Sequence, residues 1–261
     1  KNNNPLEASS LIHVNGLNSI ITDNIISNGY YGIHLYNTDN HLIYDNVITN
    51  NSGDGIRLYQ SYNNVNISFN SVSRNKNGIY LYESDGIQIY SNELQYNNQS
   101  GIFLNSTCQD NTIRKNNASQ NGVHGIYLND YSNYQTIVDN QIFYNKNSGL
   151  VLENCSMNFN IDGNTVIGNI NYGMMIIGST NNISNNLVSY NKKDGMYFSA
   201  DDHNMIYKNT ITYNTLAGIR MYNSTYNYIR NNRIGFNQEC GVYLDFFTIH
   251  NLIYNNYFHD N

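Results

Sequence analysis

The hydrophobic positions of the chain follow one short motif: a glycine, an apolar residue, a variable residue and a second apolar residue. The motif occurs ten times, and successive glycines are 22 to 24 residues apart. The ten glycines are Gly32, Gly55, Gly78, Gly101, Gly125, Gly149, Gly173, Gly195, Gly218 and Gly241. Alternation of inward and outward positions over so few residues is typical of a β-strand. The short period indicates one small unit stacked on itself.

A second motif of isoleucines and asparagines follows each strand and its polar turn, as in Ile206, Asn209, Ile211 and Asn214. β-Branched residues dominate its apolar positions, and no segment keeps a helical period of 3.6 residues. Strands that recur at one offset pair in parallel with their copies in the next coil. The sequence therefore predicts an all-β parallel β-helix, a solenoid of about eleven coils that forms a single domain over residues 1–261.

Asparagine is unusually frequent, with 54 residues in a chain of 261. Many of them fall into two columns, one at each of two corners of the predicted coil. The first column is Asn24, Asn46, Asn70, Asn92, Asn116, Asn140, Asn164, Asn186, Asn209, Asn232 and Asn256, and the second is Asn51, Asn75, Asn97, Asn121, Asn145, Asn169, Asn191, Asn214, Asn237 and Asn261. Asparagine tolerates a left-handed backbone, and its amide can bond to the amides above and below. We therefore interpret the columns as structural ladders rather than a binding site.

Charge and composition exclude several function classes. The formal net charge is −6 with 13 basic residues, which argues against a nucleic-acid surface. No run of 18 apolar residues occurs, so no membrane span is predicted. The three cysteines have no zinc or redox spacing, and we expect no obligatory cofactor. Lys1 begins and Asn261 ends within repeats, which suggests a fragment of a larger protein.

The repeat, and phrases such as the segment from Asn251 to Phe258, closely resemble the right-handed parallel β-helix repeat family. That family includes carbohydrate-binding and sugar-hydrolase domains and the copper-maturation protein of nitrous oxide reductase. In style the chain is most similar to archaeal cell-surface β-helix proteins such as disaggregatase, which is understood to degrade a uronic-acid-rich matrix. The resemblance implies a right-handed solenoid, an extracellular or cell-surface location and an acidic polysaccharide or cell-surface glycan as partner. No catalytic motif of the family occurs here, so no catalytic residue is carried over.

The variable residue of each glycine motif faces outward, and its copies stack about 4.8 Å apart as a column on one wall. We expect the first patch of this wall to be an accessible sugar site, with tyrosine rings for stacking and an arginine fork for a carboxylate. Its residues are His13, His34, Arg57, Tyr80, Tyr36, Tyr59, Tyr82 and Asp54. This set suits β-elimination of a uronate polymer. Arg57 would neutralise the carboxylate, His34 or Tyr80 would remove the C5 proton, and Tyr59 or Tyr80 would protonate the leaving oxygen.

The second patch is apolar and continues the column through Phe103, Tyr127, Val151, Met175 and Ile177. A contiguous apolar stripe on a surface is typical of a covered face. Three interpretations stay open: a subunit interface, a folded-back terminal segment, or further sugar-stacking surface through Phe103 and Tyr127. We favour the interface, as in a homotrimer formed through Val151, Met175 and Ile177.

The third patch repeats the composition of the first near the other end of the chain. It contains Tyr197, Arg220, Tyr243 and Tyr222, flanked by Asp194 and Asp245. The two carboxylates lie two coils apart, near ~10 Å, at or beyond the spacing of an inverting glycosidase. In the neighbouring turn, Asp201, Asp202 and His203 form a candidate site for calcium or a transition ion.

Two function classes follow from these patches. The leading hypothesis is an extracellular enzyme, a lyase or a glycoside hydrolase, that cleaves a uronic-acid-containing polysaccharide at the first patch. The alternative is a non-catalytic carbohydrate-binding or structural cell-surface module, such as an adhesin or sheath protein. A trimeric, tail-fibre-like recognition protein is a third interpretation.

Overall fold

The computed structural model describes residues 9–155, 159–178 and 180–261. Over these residues the chain winds into eleven coils, and each coil contributes one short strand to each of three sheets. All three sheets are parallel and have 11 strands. No α-helix occurs in the described part of the chain. The prediction of an all-β, right-handed parallel β-helix of about eleven coils is confirmed.

The strands are named β1 to β33 in chain order. The first sheet, which carries the glycine motif, contains β1 (Ser10–Val14), β4 (Tyr31–Tyr36), β7 (Ile56–Tyr59), β10 (Ile79–Tyr82), β13 (Ile102–Asn105), β16 (Ile126–Asn129), β19 (Leu150–Glu153), β22 (Met174–Ile177), β25 (Met196–Ser199), β28 (Ile219–Tyr222) and β31 (Val242–Leu244). The second sheet contains β2 (Ile20–Thr22), β5 (Leu42–Tyr44), β8 (Asn66–Ser68), β11 (Gln88–Tyr90), β14 (Thr112–Arg114), β17 (Thr136–Val138), β20 (Phe159–Asp162), β23 (Asn181–Ser184), β26 (Met205–Tyr207), β29 (Tyr228–Arg230) and β32 (Leu252–Tyr254). The third sheet contains β3 (Ile25–Ser27), β6 (Val47–Thr49), β9 (Ser71–Ser73), β12 (Glu93–Gln95), β15 (Asn117–Ser119), β18 (Gln141–Phe143), β21 (Thr165–Ile167), β24 (Leu187–Ser189), β27 (Thr210–Thr212), β30 (Arg233–Gly235) and β33 (Tyr257–His259).

The core is the column of inward side chains from the three sheets. In β7, Ile56 and Leu58 are fully buried, whereas Arg57 between them faces outward. Burying each such aliphatic side chain stabilises the fold by about 1.5–3 kcal/mol. The register pairs His34 with Arg57 and Arg57 with Tyr80, so residues about 23 positions apart stand directly above one another, as the period predicts.

The glycine of the repeat is required because adjacent coils approach closely there. A Cβ atom on Gly55 would lie 2.4 Å from Cγ1 of Val72 and 2.8 Å from the carbonyl oxygen of Gly78. Both distances are far below van der Waals contact. Any larger residue at this position would force neighbouring coils apart.

The two asparagine ladders are confirmed by their hydrogen bonds. Asn70 donates from its backbone N–H and from Nδ2 to Oδ1 of Asn92, each over 3.0 Å. Its Nδ2 also donates to the carbonyl oxygen of Ile43 over 2.9 Å. The same pattern recurs from coil to coil, so buried amides satisfy the backbone groups at each corner.

The backbone reason predicted for the ladders is wrong. The left-handed residue at each corner is the one before the ladder asparagine, for example Phe69 (φ 55°) before Asn70 and Tyr96 (φ 57°) before Asn97. The asparagine is selected for its inward hydrogen bonds, and the strained position carries many residue types.

A third, mixed ladder at the remaining corner was not predicted. Asn111 donates from its backbone N–H to Oε1 of Gln135 over 3.0 Å. Further along, Nδ2 of Asn204 donates to Oδ1 of Asn227, which bonds to Asn251 in the next coil. Because glutamine and other residues replace asparagine in some coils, the pattern is weak in the sequence.

Within the described ranges, no helix is long and apolar enough to cross a lipid bilayer.

Candidate functional site

Arg57 is the centre of the first patch. Its Nη1 donates to Oδ2 of Asp54 over 3.0 Å, and its guanidinium carbon lies 4.9 Å from the ring centre of Tyr31 and 4.6 Å from that of Tyr80. Asp54 is buried, and its other oxygen accepts from Nδ2 of Asn77 over 2.8 Å. Arg57 makes no other hydrogen bond to the described residues. Its remaining N–H groups are therefore available to a ligand.

His34 faces the same side but is only 2% exposed, which corrects the expectation that it is accessible. The rings of His13 and Tyr31 lie 5.0 and 5.3 Å from it, and Tyr36 adds a third aromatic neighbour. Burial, aided by the positive charges of His13 and Arg57, lowers the pKa of His34 to about 4. Neither ring nitrogen has a hydrogen-bond partner among the described residues. The imidazole is therefore neutral at neutral pH and lies beneath its neighbours.

The tyrosines of the first patch stack on one another. Tyr36 and Tyr59 have ring centres 5.4 Å apart, and Tyr59 and Tyr82 have ring centres 4.8 Å apart, with planes within 16° of parallel. Their inner faces are covered, so a ligand meets mainly ring edges and hydroxyls. Burial raises the pKa of Tyr59 and of Tyr80, which keeps both protonated at neutral pH. They are suited to donate a proton rather than to remove one.

The apolar second patch is only partly exposed. Val151 is 1% exposed, so it offers no area to a partner, contrary to the predicted interface. Met175 and Ile177 are half-buried and still face outward. The trimer stays a prediction, and any contact would depend on these two residues.

Phe103 and Tyr127 stack with ring centres 4.7 Å apart and line a cleft of about 210 Å³ with Gln99, Ser100, Val123 and His124. The Tyr127 hydroxyl donates to Glu153 over 2.7 Å. Burial lowers the pKa of His124. The sequence pattern predicted no role for His124 or Glu153. Their positions, directly before a repeat glycine and two residues beyond the outward column, are the signal that would have found them.

Arg220 anchors the third patch in a different way. It is 8% exposed, its Nε donates to Oδ1 of Asp194 over 2.9 Å, and its Nη2 donates to Oε2 of Glu239. The Tyr243 ring centre lies 4.6 Å from its guanidinium carbon, and the Tyr197 ring packs beside Tyr222. Asp194 also accepts from the backbone of Ala217, although burial still raises its pKa. The two acids on Arg220 make this patch a closed ion-pair cluster.

The paired-carboxylate and metal predictions find no support in this geometry. Asp245 accepts from Asn223 and Thr248, and the Thr248 bond lowers its pKa, so it is engaged within its own turn. Asp201 is buried and accepts from the backbone of Ser199.

The other two residues of the predicted metal site diverge from Asp201. Asp202 bonds to Thr225, and His203 stacks on Tyr226. No group of three or more His, Cys, Asp or Glu residues able to hold a metal ion occurs in the described ranges. The predicted site at Asp201, Asp202 and His203 therefore does not form.

Three parallel sheets and internal asparagine ladders place the chain in the class of parallel β-helix proteins. The chain belongs to the family described as periplasmic copper-binding protein (NosD), which matches residues 2–148 and 143–261. No curated protein matches the chain.

Several solved structures share the fold at low sequence identity. The periplasmic alginate epimerase AlgG is 15% identical with a TM-score of 0.72, covering 92% of this chain and 76% of AlgG. The mannuronan C-5 epimerase AlgE4 A-module of Azotobacter vinelandii is 13% identical with a TM-score of 0.63, covering 98% of this chain and 88% of the module. The Dettilon tailspike protein is 14% identical with a TM-score of 0.60, covering 91% of this chain and 54% of the tailspike. These likenesses establish the fold.

The described residues do not fit the copper site that the family description implies. Burial raises the pKa of the Cys108 and Cys155 thiols to about 12, and a cysteine binds copper as its thiolate. Met174, Met196 and Met221 are fully buried in the core. These buried thiols and thioethers do not suit copper, and no group of three or more His, Cys, Asp or Glu residues able to hold a metal ion occurs in the described ranges.

Proposed function

We propose that the chain binds a uronic-acid-containing polysaccharide along the outward face of its first sheet and cleaves it by β-elimination. The observation that carries this proposal is Arg57, which lies against the rings of Tyr31 and Tyr80 with one hydrogen bond to Asp54 and none from its other N–H groups to a described residue. A planar guanidinium in this state suits bidentate binding of a sugar carboxylate.

The reaction begins with the carboxylate on Arg57. Neutralising that charge lowers the cost of removing the proton from C5, because negative charge develops next to the carboxyl group. The neutral imidazole of His34 accepts the proton, which requires the rings of His13, Tyr31 or Tyr36 to move aside. The electron pair from the C5–H bond then forms the C4–C5 double bond as the C4–O bond breaks. Tyr80 or Tyr59 protonates the departing oxygen.

The comparisons agree with a uronate substrate. Two of the solved structures with this fold are named as an alginate epimerase and a mannuronan C-5 epimerase. Epimerisation at C5 and elimination share their first step, the loss of the C5 proton. The family and the alginate epimerase AlgG are both periplasmic, which favours a location outside the cytoplasm. We extend both points to this chain as part of the proposal.

The test is to incubate the protein with mannuronate, guluronate and galacturonate polymers. Absorbance of the unsaturated product reports elimination, and proton NMR of the remaining polymer reports epimerisation. We expect one polymer to react and Arg57→Ala to abolish the reaction. Arg114→Ala, which removes an exposed arginine from the second sheet, is the matched control. Absence of the unsaturated product with every polymer, or equal activity in Arg57→Ala, contradicts the proposal, and epimerisation without that product would assign the site to the other C5 reaction.

The burial of His34 favours a second candidate function, sugar binding without turnover. On this alternative the face remains closed, and Arg57 holds a uronate whose C5 proton never reaches His34. A glycan array would then show Arg57-dependent binding to acidic glycans, while the absorbance and NMR assays detect no product.

A further inference from the structure

Two corners of each coil have the same backbone but different side chains. The residue after each second-sheet strand and the residue after each third-sheet strand both adopt a left-handed conformation, with φ between 49° and 70° at all twenty-two positions. The first of these corners carries one aromatic residue in eleven, Phe69. The second carries five in eleven: Tyr96, Tyr144, Tyr190, Tyr213 and Phe236.

This difference is not required by the fold. A left-handed conformation is unfavourable for a bulky side chain, and the Asp, Asn, Lys and Gly residues of the first corner satisfy the same backbone. The aromatic rings also contribute little to the core, because Tyr96 is 49% and Tyr144 60% exposed. Exposed aromatic residues in a strained position with polar alternatives indicate a surface with a binding role.

The five aromatic residues of the second corner form two groups along the solenoid. Tyr190, Tyr213 and Phe236 form a parallel stack with ring centres 4.9 and 4.7 Å apart, so their faces cover one another. Tyr96 and Tyr144 are instead separated by the coil of Gln120, about two strand spacings or ~10 Å apart. Their rings make no contact with each other, so the faces directed at the gap remain open.

The gap between these two rings is a cleft of about 420 Å³, lined by Tyr96, Gln120, Tyr144 and Lys146. This volume lies within the usual range of small-ligand sites, about 300–1,000 Å³. Gly168 makes room for one wall, because a Cβ atom there would lie 2.5 Å from Cε1 of Tyr144. Lys146 takes part in no ion pair with the described residues.

We propose that this cleft is a second binding site, for one uronate residue of an acidic polysaccharide. The apolar faces of the sugar ring pack against Tyr96 and Tyr144, the Gln120 amide bonds to its hydroxyls, and the Lys146 ammonium pairs with its carboxylate. The site lies at the corner after the third sheet. The Arg57 face lies on the first sheet, on the other side of the asparagine ladder at that corner. It shares a ligand class with the proposed function but no residue, so either can fail alone.

The test is calorimetric titration of a mannuronate tetrasaccharide, at low ionic strength, into the Arg57→Ala protein, in which the first-sheet anchor is absent. We expect binding at one site. Adding Tyr144→Ala should weaken it by about tenfold or more, through loss of one stacking face. Adding Lys146→Gln should weaken binding of the mannuronate tetrasaccharide and leave the affinity for a neutral mannose tetrasaccharide unchanged.

Phe69→Ala is the matched control, because Phe69 is an exposed aromatic residue with the same backbone at the other corner. It should leave affinity unchanged, and thermal melting of each variant confirms that it is folded. The proposal is overturned if the Arg57→Ala protein gives no binding heat, if Tyr144→Ala binds as tightly as its parent, or if Phe69→Ala weakens binding equally. Binding by wild type but not by Arg57→Ala would support the first-sheet site alone.

Discussion

Arg57 and Arg220 occupy the same outward column of the first sheet, and each guanidinium lies 4.6 Å from a tyrosine ring of the next coil. Their electrostatic surroundings differ. Arg57 bonds to Asp54 alone, whereas Arg220 bonds to both Asp194 and Glu239. A uronate approaching Arg220 meets an excess of negative charge, and a uronate approaching Arg57 meets unused donors. Identical residues in equivalent positions of the first sheet thus differ in charge balance because of the acids around them.

The largest expected effect is on stability, from Arg220→Met. Asp194 would keep only its backbone partner inside the protein, and an unpaired buried charge costs about 4 kcal/mol in the free energy of unfolding. Urea denaturation measures this loss. Binding of uronate oligomers to the folded variant should remain, and loss of binding would show that the Arg220 cluster is more than structural.

The next effect is a pH dependence that belongs to the Arg57 region. His34 has a folded pKa of about 4 and an ordinary unfolded value of 6.5, so the unfolded state binds more protons between these values. Stability contributed by neutral His34 is complete above pH 6.5 and is lost as pH falls towards 4. The loss amounts to about 3 kcal/mol.

The measurement is urea unfolding at several pH values for wild type and His34→Phe, with His13 and Arg57, the charged groups beside His34, unchanged. Wild type should lose more stability than the variant between pH 6.5 and 4. Above pH 7 the curves of unfolding free energy against pH should be parallel for the two proteins. Parallel curves throughout would mean that His34 titrates normally and is exposed in solution.

Arg57→Ala should cost less stability than Arg220→Met, about 1–2 kcal/mol, because it leaves one acid without its cation whereas Arg220→Met leaves two. Its effect on uronate binding should be larger than that of any change at Arg220. Arg57→Lys restores the charge but not the planar fork, so binding should recover only in part. Titration calorimetry beside urea denaturation separates the two effects, and full recovery by lysine would argue against bidentate binding.

The smallest structural effect is expected from Tyr80→Phe. The ring beside Arg57 remains, and only the hydroxyl that accepts from Asn105 over 3.2 Å is lost, at a cost of about 1 kcal/mol or less. Turnover should fall nevertheless if Tyr80 protonates the leaving oxygen. Tyr243→Phe, the equivalent change beside Arg220, should alter neither activity nor stability measurably. Equal turnover in the two variants would assign the proton to Tyr59 or to water.

The period of the repeat made the register of the first sheet predictable. Side chains that recur every 22 to 24 residues stack in line, so His34, Arg57 and Tyr80 were placed together correctly. The asparagine columns were predictable for the same reason. Register follows from the repeat period, which the sequence shows directly, and the turns absorb the variation of 22 to 24 residues in coil length.

Exposure was not predictable, because it depends on the size and direction of neighbouring side chains. Val151 is covered although it faces outward, since it stands in register between the larger Tyr127 and Met175. His34 is covered by aromatic rings from its own coil and from the coil before it. The role of Glu239 was also missed, because a turn residue reaches Arg220 through a side-chain conformation that no periodicity encodes.

The close packing at Gly55 implies a rule for how such a protein can lengthen over evolution. Each coil meets only the coils before and after it, and the same glycine and amide contacts recur along most of the solenoid. Duplicating a segment of roughly 23 residues would therefore add one more row, about 4.8 Å tall, without rebuilding any other row. Ligand preference can then diversify one row at a time, by copying and editing a single unit of a gene.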